Sequence, residues 1–191
     1  MRKIILASSS KWRRQILEKS RIPFIVEPGD YEEDMGMQLS PRELAETLAT
    51  GKAESVAIKH TDAVVIGADT LVEFEGGVIG KPHTPEKATQ TLERLSGKTH
   101  SIYTGYCIID TKTGGRRSGA VETRVTFRNL PSQEIADYVA TGEPLNAAGA
   151  YTIQDSAAGF VSHIEGDFYN VVGLPLATIL EELYRLEVIE S

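Results

Sequence analysis

Residues 4–14 read Ile4-Ile5-Leu6-Ala7-Ser8-Ser9-Ser10-Lys11-Trp12-Arg13-Arg14, which is an apolar run followed by three serines and a basic segment. The apolar run predicts a buried strand over Ile4–Ala7, and the basic segment predicts an amphipathic helix over Lys11–Lys19. Because hydroxyls, backbone N–H groups and guanidinium groups at a helix N-terminus bind anions, the pattern favours a phosphate site. Serines that only cap a helix beside solvated arginines are the commoner alternative.

The composition favours a compact enzyme of one domain or two closely apposed lobes. The chain has 191 residues, of which 41% are hydrophobic, and a net charge of −7. It contains no apolar stretch near the roughly 18 residues of a membrane span, and the apolar run after Arg2 and Lys3 is too short for a secretory signal. The single cysteine, Cys107, excludes a disulfide framework and a thiolate metal cage. We therefore expect a cytoplasmic protein without a membrane or nucleic-acid partner.

Signals for strands and helices alternate along the chain, which predicts an α/β fold with a mixed sheet. Ser40-Pro41-Arg42-Glu43 is a capping box, and it predicts a helix that runs to Ile58. Small and β-branched residues predict a central strand over Ala63–Ala68. The segment Gly142–Gly173 gives few regular signals. The other expected elements are strands at Phe24–Val26, Leu71–Phe74, Val78–Ile79, His100–Asp110 and Ala120–Arg128, and helices at Pro85–Leu95, Ser132–Ala140 and Pro175–Leu186.

Acidic residues lie at two places where an α/β protein binds ligands. Asp69 follows the apolar strand Val64–Ala68, at the end of the sheet where open α/β folds place their ligands. It either caps the next turn or holds a metal ion or water. Glu32 and Glu33 lie in an acidic loop, for which solvation is the default interpretation. Carboxylates of this kind hold hard divalent cations through oxygen.

Two lysines have backbone surroundings that fit phosphate binding. Lys52 lies beside Gly51 inside the long predicted helix, where glycine is unfavourable and allows another group to approach closely. Lys81 lies between Gly80 and Pro82, in a rigid turn that would aim its amine. Together with the carboxylates and the serine–arginine segment, these lysines indicate phosphoryl chemistry on a nucleotide.

Six segments along the chain carry a family resemblance: Leu6–Arg14, Gly67–Thr70, Gly80–Pro82, Leu95–His100, Ala148–Gln154 and Val171–Leu176. In order and over nearly the whole chain, they resemble the Maf family of nucleoside triphosphate pyrophosphatases. The resemblance implies hydrolysis between the α and β phosphates, which gives a monophosphate and pyrophosphate and requires a divalent cation, Mg²⁺ or Mn²⁺. It implies one elongated domain over residues 1–191, with a curved mixed sheet and a cleft between two lobes, similar to the inosine triphosphatase (Ham1) architecture. A homodimer is the assembly it suggests.

The resemblance also implies a role for each matching residue. Asp69 matches the catalytic proton acceptor, which activates the attacking water and contributes to the metal site. Glu32 matches the metal-holding position of the acidic loop, and Glu33 is close enough to share or replace it. The positions that match phosphate contacts are Ser8, Arg13, Lys52 and Lys81.

Three further positions, Trp12, Thr70 and Gln154, match those that select the base. The subgroup that resembles dTTP/UTP pyrophosphatases has arginine, threonine and glutamine there, and the subgroup that resembles 7-methyl-GTP pyrophosphatases has tryptophan, glutamine and glutamate. Lys11 stands where the family usually has proline. Because a glutamine amide pairs with a pyrimidine edge, we expect dTTP and UTP as substrates. The alternatives are 7-methyl-GTP hydrolysis and a nucleotide-binding regulator of septum formation without turnover.

Overall fold

The computed structural model describes residues 2–189, which fold into strands and helices in alternation. The strands are β1 (Ile4–Leu6), β2 (Ile25–Val26), β3 (Val64–Phe74), β4 (Gly77–Ile79), β5 (Thr99–Asp110), β6 (Arg116–Phe127) and β7 (Val161–Glu165). The α-helices are α1 (Lys11–Glu18), α2 (Pro41–Ala57), α3 (Pro85–Leu95), α4 (Ser132–Ala140), α5 (Phe168–Val172) and α6 (Leu176–Arg185). Short 3₁₀ helices cover Glu143–Asn146, Ala148–Ala150 and Ser156–Phe160. Within residues 2–189, no helix is both long and apolar enough to span a bilayer.

The strands form one mixed sheet, which confirms the expected α/β class. Its order is β2-β1-β3-β5-β6-β7, with β4 paired to β3. Strand β1 is parallel to both of its neighbours, so that Ile5 lies opposite Ile25 on one side and Val65 on the other. The β3–β4 and β6–β7 pairs are antiparallel. The crossovers therefore build the parallel part and the hairpins build the antiparallel part.

The chain divides into two compact units, and strands β3, β5 and β6 contribute residues to both. Unit 1 contains residues 2–70, 104–121 and 173–189. Unit 2 contains Leu71–Tyr103 and Glu122–Val172. The cleft and the homodimer that the family resemblance implies stay predictions.

Helix α2 packs unusually close to the sheet of unit 1 because glycines face it. A Cβ atom at Gly67 would lie 2.4 Å from the carbonyl oxygen of Ala49, and one at Gly105 would lie 2.0 Å from that of Ala45. The helix begins at the predicted capping box, in which Ser40 and Glu43 each accept a hydrogen bond from the backbone of the other. This close packing brings the side chains of α2 against β3.

Unit 2 has a core rich in aromatic rings. The ring of Phe127 lies edge-on to both His100 and Tyr151, with centroids 5.0 Å and 4.8 Å away. Helices α3 and α4 cover this core with buried residues such as Leu92 and Ile135. Edge-to-face rings of this kind add packing energy beyond the area that they bury.

The structure corrects three local predictions. Asp69 and Thr70 do not end a strand, because β3 continues from Val64 to Phe74 and Asp69 lies inside it. A charged residue is rare inside a strand, and this one is accommodated because a lysine neutralises it. Strand β6 begins four residues before the predicted Ala120, at Arg116, and the segment with few signals contains β7 and α5.

Candidate active site

The turn between β1 and α1 uses two of its three serines in hydrogen bonds. Ser10 is the N-cap of α1, and its hydroxyl accepts from the backbone N–H of Arg13 at 3.4 Å. Ser8 is buried, and its hydroxyl accepts from the backbone N–H of Ser10 at 3.2 Å. The predicted helix capping is therefore present, but Ser10 provides it. Ser8 instead faces the side chain of Arg13.

The guanidinium of Arg13 is held by three groups of unit 1, two of which are distant in sequence. Its Nε donates to the carbonyl oxygen of Gly173 at 2.8 Å, and Nη2 donates to Thr70 Oγ1 at 3.1 Å. Nη1 makes a longer contact of 3.4 Å with Ser8 Oγ. Burial lowers the pKa of Arg13, while the carboxylates of Asp69 and Glu33 act in the opposite direction. The arginine is a fixed cation beside these two acids.

Lys52 joins two carboxylates in the same unit. Its Nζ forms an ion pair with Asp69 Oδ1 and lies 2.7 Å from Glu33 Oε1. The side chain of Asp69 is 10% exposed, whereas that of Glu33 is 44% exposed. A buried carboxylate needs such a partner, because the cost of removing its charge from water is otherwise several kcal/mol. The pairing brings residues of β3, α2 and the acidic loop to one point.

The acidic loop reaches α2 because residue 51 is glycine. The ring of Tyr31 fills the space that a side chain would take, since a Cβ atom at Gly51 would lie 2.1 Å from Tyr31 Cε2. The prediction that this glycine allows a close approach is therefore confirmed. Two residues further along the loop, Glu33 contacts Lys52. Glu32 is exposed in the same loop.

The remaining predicted residues lie in different places. Trp12 is half-buried on α1, and Lys11 Nζ lies 4.2 Å from the centroid of its ring. Lys81 is exposed and Gln154 is half-buried, and both belong to unit 2. The structure thus brings together, in unit 1, the predicted residues Ser8, Arg13, Glu33, Lys52, Asp69 and Thr70.

Two residues of this cluster were missed by sequence reasoning. Gly173 supplies a carbonyl oxygen to Arg13, and Thr104 forms a 3.0 Å hydrogen bond between its hydroxyl and that of Thr70. Gly173 lies in the segment Val171–Leu176 and Thr104 lies in the predicted strand His100–Asp110, but neither side chain carries a charge. Their separation of 160 and 34 residues from their partners gives no local signal.

In unit 2 a hydrogen-bonded network holds the chain before Gln154. The hydroxyl of Tyr138 donates to Glu143 Oε1 at 2.8 Å and accepts from the backbone N–H of Thr152 at 3.3 Å. The hydroxyl of Thr152 also donates to Glu143. Burial raises the pKa of Glu143, but the hydrogen bonds outweigh it and the net pKa lies below the usual range. The network fixes the segment two residues before Gln154.

A second polar pair of unit 2 is buried and neutral. His100 Nε2 and the hydroxyl of Tyr151 are 2.8 Å apart, and His100 is 2% exposed. Burial lowers the pKa of His100 to about 4 and raises that of Tyr151 above its ordinary value. Both side chains are therefore uncharged at neutral pH, and their role is in the core.

The acidic residues of unit 1 suit a divalent cation that takes most of its ligands from a substrate. Asp69 and Glu33 direct carboxylate oxygens toward one point, the ammonium of Lys52. Among residues 2–189, no three His, Cys, Asp or Glu side chains are grouped closely enough to form a complete metal site. Mg²⁺ is commonly held by one or two carboxylates together with phosphate oxygens and water. The donor set fits that mode of binding.

The chemical capacity of the cluster is that of a phosphate site with a base. Arg13 and Lys52 supply positive charge, Ser8 and Thr70 supply hydroxyls, and Asp69 supplies a largely buried carboxylate. Cations of this kind stabilise charge on phosphoryl oxygens, and a carboxylate accepts a proton from water. The roles of the individual residues stay predictions.

The chain is similar over almost its whole length to known proteins. The profile of the family described as Maf-like protein matches residues 3–186. A protein of Moorella thermoacetica named dTTP/UTP pyrophosphatase is 47% identical, with 96% of this chain and 94% of that protein covered. A protein of Bacillus cereus with the same name is 44% identical, with 98% and 97% covered.

A solved structure confirms the fold. The Staphylococcus aureus Ham1 protein superposes with a TM-score of 0.52 at 14% sequence identity, over 97% of this chain and 99% of that one. At this identity the likeness concerns the fold alone. The expected inosine triphosphatase (Ham1) architecture is therefore confirmed.

Proposed function

We propose, on the premise that this chain belongs to the Maf-like protein family, that it hydrolyses dTTP and UTP to the monophosphate and pyrophosphate. The observation that carries the proposal is the Asp69–Lys52–Glu33 ion pairing beside Arg13 in unit 1. A binding protein needs the positive charge of such a site but not a buried carboxylate. The names of the relatives, which are 44–47% identical, support the same reaction.

In the proposed reaction a water oxygen attacks the α-phosphorus and the bond from that phosphorus to the α–β bridging oxygen breaks. Asp69 accepts the proton that the water loses, and pyrophosphate leaves with the bridging oxygen. Arg13 and Lys52 neutralise the charge that grows on the leaving group. Because Lys52 is paired with Asp69 before substrate binds, its movement toward a phosphate would release the carboxylate for its role as base.

A divalent cation, Mg²⁺ or Mn²⁺, belongs to the proposal. Asp69 and Glu33 would hold it, with Glu32 as the neighbouring acid of the loop. When bound, the cation would neutralise phosphate charge and lower the pKa of water. Arg13 and Lys52 would act on the same phosphates as this cation.

The choice of a pyrimidine base follows from two side chains. The amide of Gln154 has one acceptor and two donors, which match the carbonyl and N–H groups of thymine and uracil. Trp12 offers a ring for stacking, but the ammonium of Lys11 already lies over it at 4.2 Å. A cationic base such as 7-methylguanine would meet a like charge at that ring. A neutral pyrimidine would not.

The substrate proposal is tested by the kcat/KM of the wild type for dTTP, UTP and 7-methyl-GTP, with dATP as a reference. We expect dTTP and UTP to exceed 7-methyl-GTP by about tenfold or more. A preference for 7-methyl-GTP would reverse the substrate assignment. Tight nucleotide binding without turnover would favour the regulator instead.

The cellular compartment, the partners and the oligomeric state of the enzyme are part of the proposal. The nucleotide substrates and the single buried thiol of Cys107 both suit a reducing cytoplasm. The net charge of −7 disfavours a nucleic-acid partner. A homodimer is the assembly that family resemblance suggests, and sedimentation analysis of the purified chain would test it.

A further inference from the structure

The guanidinium of Arg13 is more constrained than a solvated phosphate-binding arginine would be. Gly173, Thr70 and Ser8 take one N–H each from Nε, Nη2 and Nη1. A guanidinium has five N–H groups, so these bonds among the described residues leave one on each Nη atom. A guanidinium binds a phosphate through the N–H groups that its other partners leave available. The orientation of Arg13 therefore determines how it meets a phosphate.

Thr70 is fixed by a second threonine. Its Oγ1 accepts a hydrogen bond from Arg13 Nη2, since an arginine only donates. The same oxygen lies 3.0 Å from Thr104 Oγ1, on the adjacent strand β5. Thr104 is fully buried, so its hydroxyl occupies one defined place. The two hydroxyls form a chain that ends on Arg13, although either of them could supply the proton between them.

The Nε–H of Arg13 is held by backbone that only glycine adopts readily. Gly173 has φ +123°, and a Cβ atom there would lie 3.2 Å from Thr70 Oγ1 and 3.5 Å from Arg13 Nε. The glycine therefore lets its carbonyl approach Nε while leaving room for the threonine hydroxyl. A carbonyl oxygen and the threonine pair therefore hold the Nε and Nη2 N–H groups of Arg13.

We propose that Thr104 is a positioning residue for Arg13 and that it acts through Thr70. The inference rests on the proposed function insofar as Arg13 binds a phosphate of the substrate. It implies that residue 70 influences the reaction by orienting Arg13. A direct contact between Thr70 and the base is not needed for that effect.

A double-mutant cycle between Thr104 and Arg13 tests the proposal. Thr104→Val keeps the shape and removes the hydroxyl, Thr104→Ser keeps the hydroxyl, and Arg13→Lys removes the guanidinium. Affinity for inorganic pyrophosphate is measured by titration calorimetry, and kcat and KM for dTTP are measured separately. Pyrophosphate reports on the phosphate site and does not depend on the base or on turnover.

We expect Thr104→Val to weaken pyrophosphate binding by about 3- to 10-fold and to raise the KM for dTTP by the same factor, because one hydrogen bond is lost. The kcat for dTTP should stay within about twofold of the wild type. Thr104→Ser should stay within about twofold of the wild type. In the Arg13→Lys background, Thr104→Val should add less than about twofold, because the group that it positions is gone. Equal effects of Thr104→Val in both backgrounds would overturn the proposal.

Thr123→Val is the matched control, since Thr123 is a fully buried threonine of unit 2 whose hydroxyl is bonded to the backbone N–H of Asp167. It should leave pyrophosphate affinity unchanged in both backgrounds. If Thr104→Val does not fold, as judged by circular dichroism, Thr70→Val replaces it in the cycle, and additivity there overturns the proposal equally.

The outcomes separate this inference from the proposed function. A wild type that binds pyrophosphate but does not hydrolyse dTTP or UTP contradicts the proposed function, and the calorimetric cycle still decides the role of Thr104. A wild type that binds no pyrophosphate overturns the assignment of Arg13 as a phosphate ligand, and with it the role of Thr104.

Discussion

One polar group in each unit shows how differently the two units satisfy such groups. In unit 1 the carboxylates of Asp69 and Glu33 are paired with Lys52, beside the cation of Arg13. In unit 2 the buried pair His100–Tyr151 is neutral, and one hydrogen bond joins its two members. Opposite charges hold the first group together, and hydrogen bonding and ring packing hold the second.

The difference supports the proposal that the chemistry takes place in unit 1. Buried ion pairs contribute little net stability, because desolvation offsets most of their attraction. A neutral hydrogen-bonded pair avoids that cost. We therefore propose that proton transfer and phosphate binding take place in unit 1 and that the scaffold of unit 2 positions Gln154. Variants at Asp69, Gln154 and His100 test this division.

Asp69→Asn should reduce the turnover of dTTP by about 100-fold or more, because asparagine keeps the size of the side chain but cannot accept the proton. Lys52 keeps its partner Glu33, so the fold and pyrophosphate binding should persist. Steady-state rates and calorimetry on the same preparation check both statements. Asp137→Asn, at an exposed aspartate of α4, is the control and should change neither. Near-normal turnover of Asp69→Asn would show that the base lies elsewhere.

Gln154→Glu should change the choice of base and leave the chemistry in place. A carboxylate favours a cationic base and repels the carbonyl groups of thymine, so the ratio of kcat/KM for 7-methyl-GTP over dTTP should rise by about 10- to 100-fold. Gln90→Glu, at an exposed position of α3, adds the same charge elsewhere and should leave the ratio unchanged. An equal loss of activity on all nucleotides would mean that Gln154 takes part in hydrolysis and not in the choice of base.

The buried histidine of unit 2 should affect stability without affecting rate. The folded pKa of His100 is about 4 against 6.5 in the unfolded chain, so unfolding takes up a proton and stability is lost as pH falls from about 6.5 to about 4. At pH 5 this loss amounts to about 2 kcal/mol.

In His100→Gln the new side chain is neutral at every pH, so the variant should not lose the roughly 2 kcal/mol of unfolding free energy at pH 5 that protonation of His100 costs the wild type. Urea unfolding at pH 7.5 and pH 5.0 measures it as the difference between the variant and the wild type. The kcat for dTTP at pH 7.5 should stay within about threefold of the wild type. An identical pH dependence in the two proteins would mean that His100 does not stay neutral in the fold.

Local signals predicted most elements because those elements depend on their own residues. Ser40 and Glu43 fix the start of α2 through their capping box, and Thr84 caps α3 by accepting from the backbone N–H of Lys87. The polar dipeptide Asp69-Thr70 misled the prediction, because its charge is balanced by Lys52 from another element. Strand β7 was missed since its pairing with β6 is set by tertiary contacts and its own sequence is mostly polar or exposed.

The charged residues of the candidate site were predictable from the sequence, but the residues that hold them in place were not. Motif resemblance identified Arg13, Lys52 and Asp69, which are residue types that phosphate chemistry requires. Thr104 and the carbonyl oxygen of Gly173 are chemically ordinary, and only the folded chain places them beside Thr70 and Arg13. Glu33, which the resemblance offered as a substitute for Glu32, is the loop residue that reaches Lys52 because Tyr31 packs on Gly51.

The central claim is that water attacks the α-phosphorus of a pyrimidine nucleoside triphosphate. Hydrolysis of dTTP by the wild type in ¹⁸O-labelled water, followed by mass spectrometry of the products, tests it most directly. Attack at the α-phosphorus should leave one labelled oxygen in dTMP and none in pyrophosphate, because the bridging oxygen leaves with the pyrophosphate. Label in pyrophosphate, or release of dTDP and phosphate, would contradict it.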